Sequence, residues 1–184
     1  MLIRLVVAFN SRETWDDEKW VVTTTKEDME ADFSAWGPHV QKIVGAMQKP
    51  DIWALFQHPP CDTYTKGRVC LLGDAAHATT PHQGAGAGMC IEDSYIMANL
   101  IKEVSSVVDL QRAFHAFDQV RRKRTQKNVE TSHEAGALYD FELFEDNLDL
   151  IEENFKHRMG WIWDIDLQAQ LEEAKAIFHG DSKT

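Results

Sequence analysis

The chain has 184 residues, 43% of them hydrophobic, a formal net charge of −11 and an isoelectric point near 5.1. That length allows one ordinary domain, or one and a half small ones, with a sizeable core. The acidic balance excludes a general binder of nucleic acid or of anionic membranes, because both need positive surface.

Residues 2–9, LIRLVVAF, read as a buried strand. This opening is too short for a membrane span and lacks the h-region and cleavage site of a signal peptide, so a cytoplasmic protein is expected. It reads as an interior strand with no run-up, as if the chain starts inside a sheet. A polar hairpin-like loop, NSRETWDDEK, leads to a second strand, WVVTT. The spacing of Met29, Phe33 and Trp36 predicts a helix over 26–36, with Thr25 as N-cap and Asp28 as a weak capping-box partner. Gly37-Pro38 ends it and starts another, carrying Val40, Ile43, Val44 and Met47. DIWALFQ, at 51–57, is a short strand, HPPCDTYTKG is loop, and Val69 to Leu72 is a short buried strand. A helix is expected from about Gly86 to Val104, with Met89, Ile91, Ile96, Met97, Leu100 and Ile101 apolar. A long one follows from Leu110 to about Leu138. Two more lie between Leu148 and His179, around Trp161 and Trp163. Strands precede helices, an α+β arrangement.

The basic cluster Arg121, Arg122, Lys123, Arg124 and Lys127 reads as a solvated helix face. Glu92 and Asp93 read as negative charge suited to the helix dipole. Trp36, Trp53, Trp161 and Trp163 read as core, with Trp53 and Phe56 nearest the expected pocket. Cys61, Cys70 and Cys90 are odd in number and lack CxxC spacing, which fits buried free thiols in a reducing compartment.

The stretch with the most chemistry is GRVCLLGDAAHATTPHQGAGAG, residues 67–88. A short strand ends at Gly73, and Asp74 follows at the edge where ligand crevices form in α/β architectures. Asp74 suits sugar-like hydroxyls. Pro81 stiffens the loop. Gly84, Gly86 and Gly88 let a ligand approach the backbone closely. The next helix offers free N–H groups and a partial positive charge. Close packing alone would also use such glycines. The spacing is neither GxGxxG nor a Walker sequence. His77 and His82 flank the loop without further metal-ligand spacing, so no metal site is expected. His82 is available as a general acid or base. No GxSxG or recognisable Cys-His spacing supports a hydrolase.

GRVCLLGDAAHATTPHQGAGAGMCIEDSYIMANLI resembles the Gly-Asp motif of FAD-dependent aromatic-ring monooxygenases of the salicylate hydroxylase-like group. WALFQHPP with TKGRV, SHEAGALYDF to WIWDID, and AFNSRETW extend the similarity over nearly the whole chain. The resemblance implies that Asp74 binds the ribityl chain of FAD, with Gly73 permitting the turn. Pro81 would lie beside the isoalloxazine, on the substrate and oxygen side. Gly84, Ala85, Gly86, Ala87 and Gly88 would wrap its pyrimidine edge and stabilise negative charge on the reduced ring. His77 would be a structural position, and Glu92-Asp93 also matches the motif. NAD(P)H would be the electron donor and a small aromatic molecule the substrate.

The family's opening dinucleotide fold with GxGxxG, and its second Asp-Gly motif, do not occur in this sequence. The chain is therefore expected to be the C-terminal half of such an enzyme. It would hold a substrate-domain remnant at 1–60, the flavin-contacting strand-loop-helix at 61–108 and C-terminal helices at 109–184. Uncovered strand edges would invite a homodimer or a complementing chain. The alternatives are a flavin-independent descendant, binding a small apolar molecule for an isomerisation or cyclisation through His82 and Asp74, and a non-catalytic partner.

Overall fold

The computed structural model of the chain describes residues 14–48 and 50–180. The strand expected at 2–9 lies outside the described residues. The fold is α+β, with two compact units, Met1–Leu55 and Phe56–Thr184.

In the first unit, β-branched side chains favour extended backbone. Strand β1 (Val21–Thr23) pairs antiparallel with β2 (Asp51–Trp53), with Val22 opposite Ile52. Thr24 N–H donates to Pro50 O and Ala54 N–H to Trp20 O, one bond beyond each end of the ladder. The strand expected to reach Gln57 stops at Trp53, because β1 is only three residues long and supplies no further rungs. Between the strands lie α1 (Lys26–Asp32) and α2 (Pro38–Gly45). The Thr25 hydroxyl accepts from Asp28 N–H at 3.1 Å and donates to the Asp28 carboxylate at 2.7 Å, so the expected cap forms. Met29, Phe33 and Val44 make a small core edged by Val40 and Met47. Trp36 and Trp53 were expected in a core, yet both are exposed. A core of three buried side chains is too small to cover them.

The second unit starts with a hairpin. Strand β3 (Thr65–Lys66), in a segment expected to be loop, pairs antiparallel with β4 (Val69–Cys70). Gly67 turns the chain with φ +60°. The short buried strand expected at 69–72 is thus an exposed arm with alternating sides. Val69 is 64% exposed, whereas Cys70 and Leu72 pack against the core.

After the hairpin come α3 (Asp74–His77), a 3₁₀ turn (Pro81–Gln83), α4 (Gly86–Lys102) and α5 (Val107–Tyr139). Helix α5 starts before the expected Leu110 because the Asp109 carboxylate takes the Ser106 N–H and hydroxyl, both at 2.9 Å. The tail forms three helices rather than two: α6 (Leu148–His157), α7 (Gly160–Trp163) and α8 (Leu167–His179). An extra break falls at Asp164–Asp166, where the Asp166 side chain caps α8 by accepting Ala169 N–H at 2.8 Å.

The core is where α4, α5 and α8 meet. Ile96, Met97 and Leu100 pack with Ala113, Ala116, Phe117 and Val120, and with Leu171, Ala174 and Phe178. The alanines let the helix axes approach. Tyr64, just before β3, joins this core. Its N–H donates to Asp118 at 2.7 Å and its hydroxyl pairs with Thr125 at 2.8 Å. The tryptophans again escape the core. Trp163 is 71% exposed, while Trp161 is half-buried beneath the Arg124 and Lys127 cations, 5.3 and 4.4 Å from its ring centre.

Candidate functional site

The chain leaves β4 and turns at Gly73, with φ +57° and ψ −140°. Only glycine adopts that conformation readily. Its environment is also tight, because an added Cβ would stand 3.0 Å from Cys90 Sγ. Asp74 then opens α3 and remains exposed. The Cys90 thiol, in the second turn of α4, lies 3.8 Å from Asp74 Oδ1. The start of α4 is therefore beside Asp74, as an α/β crevice requires.

A buried ion cluster supports the turn from below. Asp93 Oδ2 accepts the Gly73 N–H at 3.1 Å and pairs with His77 Nε2 at 2.6 Å. Its Oδ1 takes Arg121 Nε at 2.8 Å. Arg121 also meets Glu92 at 2.7 Å, and Glu92 meets Arg124 at 2.8 Å. The solvated basic face expected from sequence is overturned at the arginines, while Lys123 and Lys127 remain exposed. Arg121 is 0% exposed and the Arg124 side chain 8%. Glu92 and Asp93 serve these arginines rather than the helix dipole, since they lie in the second turn, away from the free N–H groups. Burial alone raises the pKa of Asp93, but hydrogen bonds from His77 and Arg121 outweigh it and hold the carboxyl below its usual range. Glu92 is lowered in the same way, burial being outweighed by Arg124 and Arg121.

The loop after α3 is fastened to α5. The Ser132 hydroxyl donates to Thr80 O at 2.6 Å, and the Thr80 hydroxyl to Ser132 Oγ at 3.2 Å. Gln83 Nε2 donates to Thr131 Oγ1 at 2.8 Å. His82 Nδ1 lies 3.2 Å from Ser132 O, and Tyr139 donates its hydroxyl to His82 O at 3.0 Å. The imidazole lies against Gly136, where an added Cβ would stand 2.8 Å from His82 Cε1. Pro81 opens the 3₁₀ turn with its side chain exposed.

Gly84 takes φ +63°, and α4 begins two residues later. Gly86 packs on the loop, since an added Cβ there would meet Thr79 Cγ2 at 3.3 Å. Gly84 and Gly88 instead face open space, with nothing within 4 Å of an added Cβ. No side chain caps α4, and its first turn carries no acid. The N–H groups of Gly86, Ala87 and Gly88 thus end a 17-residue helix, lack a side-chain cap, and lie beside open backbone. Asp74, Pro81, Gly84, Ala87 and Gly88 are exposed, while His82, Ala85 and Gly86 are half-buried. Open backbone at Gly84 and Gly88, the α4 amides and the exposed Asp74 carboxylate thus belong to one strand-loop-helix unit.

Two of the cysteines, Cys70 and Cys90, are held in the thiol form. All three are free and half-buried. Burial pushes the Cys70 thiol up to about 12, and burial together with Asp74 raises Cys90. Among the described residues no group of three or more His, Cys, Asp and Glu side chains is placed to hold a metal, and no helix is long and apolar enough to cross a membrane. A separate cleft of about 620 Å³ is bounded by Gln57–Pro60, His77 and α5, and neither Asp74 nor Gly84–Gly88 lines it.

Sequence reasoning picked out Gly73, Asp74, Pro81, His82 and Gly84–Gly88, all of which lie in this one strand-loop-helix unit. It missed the supports: Arg121, Thr131, Ser132 and Gly136. One signal was available. Asp93 falls on the helical stripe of Met89, Ile96, Met97 and Leu100, and Arg121 on that of Phe117. A charge on an apolar stripe implies a buried partner.

Residues 6–132 match the family model described as FAD binding domain. A 6-methylsalicylate 1-monooxygenase of Aspergillus terreus is 35% identical over 96% of this chain and 40% of its own length. A salicylate hydroxylase of Pseudomonas putida is 37% identical over 93% of this chain and 42% of its own. Among solved structures, a salicylate hydroxylase substrate complex superposes with a TM-score of 0.79 at 38% identity, covering 89% of this chain and 40% of that one. The chain spans about two fifths of the length of the curated relatives it matches. With its family model covering residues 6–132, the chain belongs to the FAD binding domain family.

Proposed function

We propose that this chain forms the part of an FAD site that faces the isoalloxazine and ribityl groups, in an NAD(P)H-using monooxygenase acting on a small aromatic molecule. The observation that carries this is that strand-loop-helix unit: uncapped α4 amides and exposed Gly84 and Gly88, with exposed Asp74. The residues present fit the group. A planar ring needs backbone without Cβ atoms in its path, and two glycines open onto free space there. A polyhydroxyl chain needs an accessible carboxylate, which Asp74 supplies.

When bound, FAD supplies the redox chemistry, accepting hydride and activating oxygen. The protein's residues hold and bias it. Asp74 accepts hydrogen bonds from ribityl hydroxyls. The amides of Gly86, Ala87 and Gly88, with Gly84 and Ala85, stabilise negative charge at the pyrimidine edge, favoured by the dipole of a 17-residue helix. Pro81 fixes the loop on the substrate side. His82 sits one residue on, its ring anchored at Ser132 O, and is the titratable group available for proton movement there. The strand-loop-helix at 61–108 is the cofactor-contacting segment, with a substrate-domain remnant before it and a helical part after it. Exposed Val69 and Leu71 are apolar surface for a second copy or a complementing chain to cover. No observation favours the flavin-independent or non-catalytic alternatives.

The experiment is to incubate the chain with FAD, NADH or NADPH, and a panel of hydroxybenzoates, following nicotinamide oxidation and product mass. Substrate-stimulated oxidation with gain of one oxygen atom by the aromatic acid is expected once the chain is supplied with a dinucleotide-binding partner. No gain of oxygen from such a reconstituted pair that binds FAD would reject the monooxygenase assignment.

A further inference from the structure

We infer that Asp93 is the positioning residue of the Gly73–Asp74 turn: one buried carboxylate sets the backbone from which Asp74 projects. The turn itself is read from the geometry. Only the binding readout below rests on the flavin assignment.

Asp93 is 0% exposed and ties down both ends of α3 at once. Its Oδ2 takes the Gly73 N–H at 3.1 Å, immediately before the helix. The same oxygen pairs at 2.6 Å with Nε2 of His77, the last residue of that helix. Asp74 lies between these two anchors. Oδ1 is occupied by Arg121, which Glu92 and Gln170 hold in turn, at 2.7 and 2.6 Å. The carboxylate therefore cannot rotate away from Gly73 without breaking the Arg121 pair. Gly73 needs such an anchor, since its φ of +57° and ψ of −140° are sparsely populated and persist only where surroundings over-determine them.

The competing account is that Asp93 only binds α4 to α5 through Arg121. Glu92 separates the two. It belongs to the same ion cluster, through Arg121 and Arg124, but among the described residues no hydrogen bond links it to the loop. If the cluster were structural only, Asp93→Asn and Glu92→Gln would act alike.

The test compares these two variants in the full chain. Stability is read by urea unfolding, the turn by amide hydrogen exchange at Gly73, and binding by quenching of FAD fluorescence. Both variants should lose stability. Only Asp93→Asn should speed Gly73 exchange and weaken FAD binding, each by about tenfold or more, the effect of losing one charge-assisted hydrogen bond. Equal Gly73 exchange in the two variants would overturn the inference, as would unchanged FAD affinity in an Asp93→Asn protein with a faster Gly73 amide. If Asp93→Asn does not fold, Asp93→Glu carries the test, with His77→Asn as its control. His77→Asn keeps the Asp93–Gly73 and Asp93–Arg121 bonds, so its Gly73 exchange should stay closer to wild type than that of Asp93→Glu, whose longer side chain displaces the carboxylate from Gly73. Equal Gly73 exchange in Asp93→Glu and Glu92→Gln overturns the inference. A wild-type chain that binds no FAD would reject the flavin assignment, while the Gly73 exchange comparison would still decide the positioning role.

Discussion

Gly73→Ala separates two costs that the structure places on one residue. The backbone at φ +57° and ψ −140° is strained for any residue with a Cβ, at about 1–3 kcal/mol. The new Cβ would also lie 3.0 Å from Cys90 Sγ, an overpacking of about 1 kcal/mol. Together Gly73→Ala should lose about 2–4 kcal/mol, measured by urea unfolding followed through tryptophan fluorescence. A double-mutant cycle apportions the loss. In a Cys90→Ala background the sulfur contact is gone, so Gly73→Ala should cost about 1 kcal/mol less while the backbone part remains. An alanine variant within about 0.5 kcal/mol of wild type would refute the strained turn. A cost that vanished entirely in the Cys90→Ala background would show that crowding, not backbone conformation, makes glycine necessary.

Gly136→Ala should change sign with its neighbour. With His82 present, the added Cβ meets the ring at 2.8 Å and should destabilise by about 1–3 kcal/mol. In a His82→Ala background the clash is absent, and the better helix former should stabilise by about 0.5–1 kcal/mol in the same unfolding assay. Arg121→Met leaves Asp93 and Glu92 buried without their shared cation and should cost about 3–5 kcal/mol at neutral pH. The pH dependence follows from the lowered pKa values of both carboxyls. In wild type their contribution is complete above the unfolded carboxylate range near pH 4 and is lost as pH falls below it. In Arg121→Met each carboxyl loses one lowering partner, although Arg124 still pairs with Glu92 and His77 with Asp93, so both pKa values move up from their wild-type positions. The gap between variant and wild type should therefore narrow as pH falls through the carboxylate range, as followed by thermal unfolding from pH 7 downward.

The local signals of the chain were legible and its long-range ones were not. Thr25 with Asp28, Gly37-Pro38 and the apolar stripe of α4 act within a few residues, so periodicity and cap chemistry located them. The Gly73–Gly88 loop was legible for the same reason: glycine and proline act on their own backbone. The supports of that loop depend on partners far along the chain. Asp93 meets Arg121 at a separation of 28 residues, and Ser132 meets Thr80 at 52. Reading the arginines as a solvated face failed because helical position alone does not say which side a carboxylate from another helix will cover. The hairpin at Thr65–Cys70 was half-seen, since its second strand has apolar residues but its first, Thr-Lys, has no hydrophobic pattern. The tryptophans were misjudged by treating hydrophobicity as burial, although large apolar side chains often stay exposed on small units.

The central claim is that Asp74 and the α4 amides hold FAD. The most direct measurement is an FAD titration of the full chain beside Asp74→Ala, following fluorescence quenching and the visible spectrum. Asp74 is exposed and forms no ion pair among the described residues, so its removal should change unfolding stability by less than about 0.5 kcal/mol. The account predicts saturable binding by wild type that is lost in the equally stable variant. Equal binding by both proteins, or no binding by a folded wild-type chain, would contradict it.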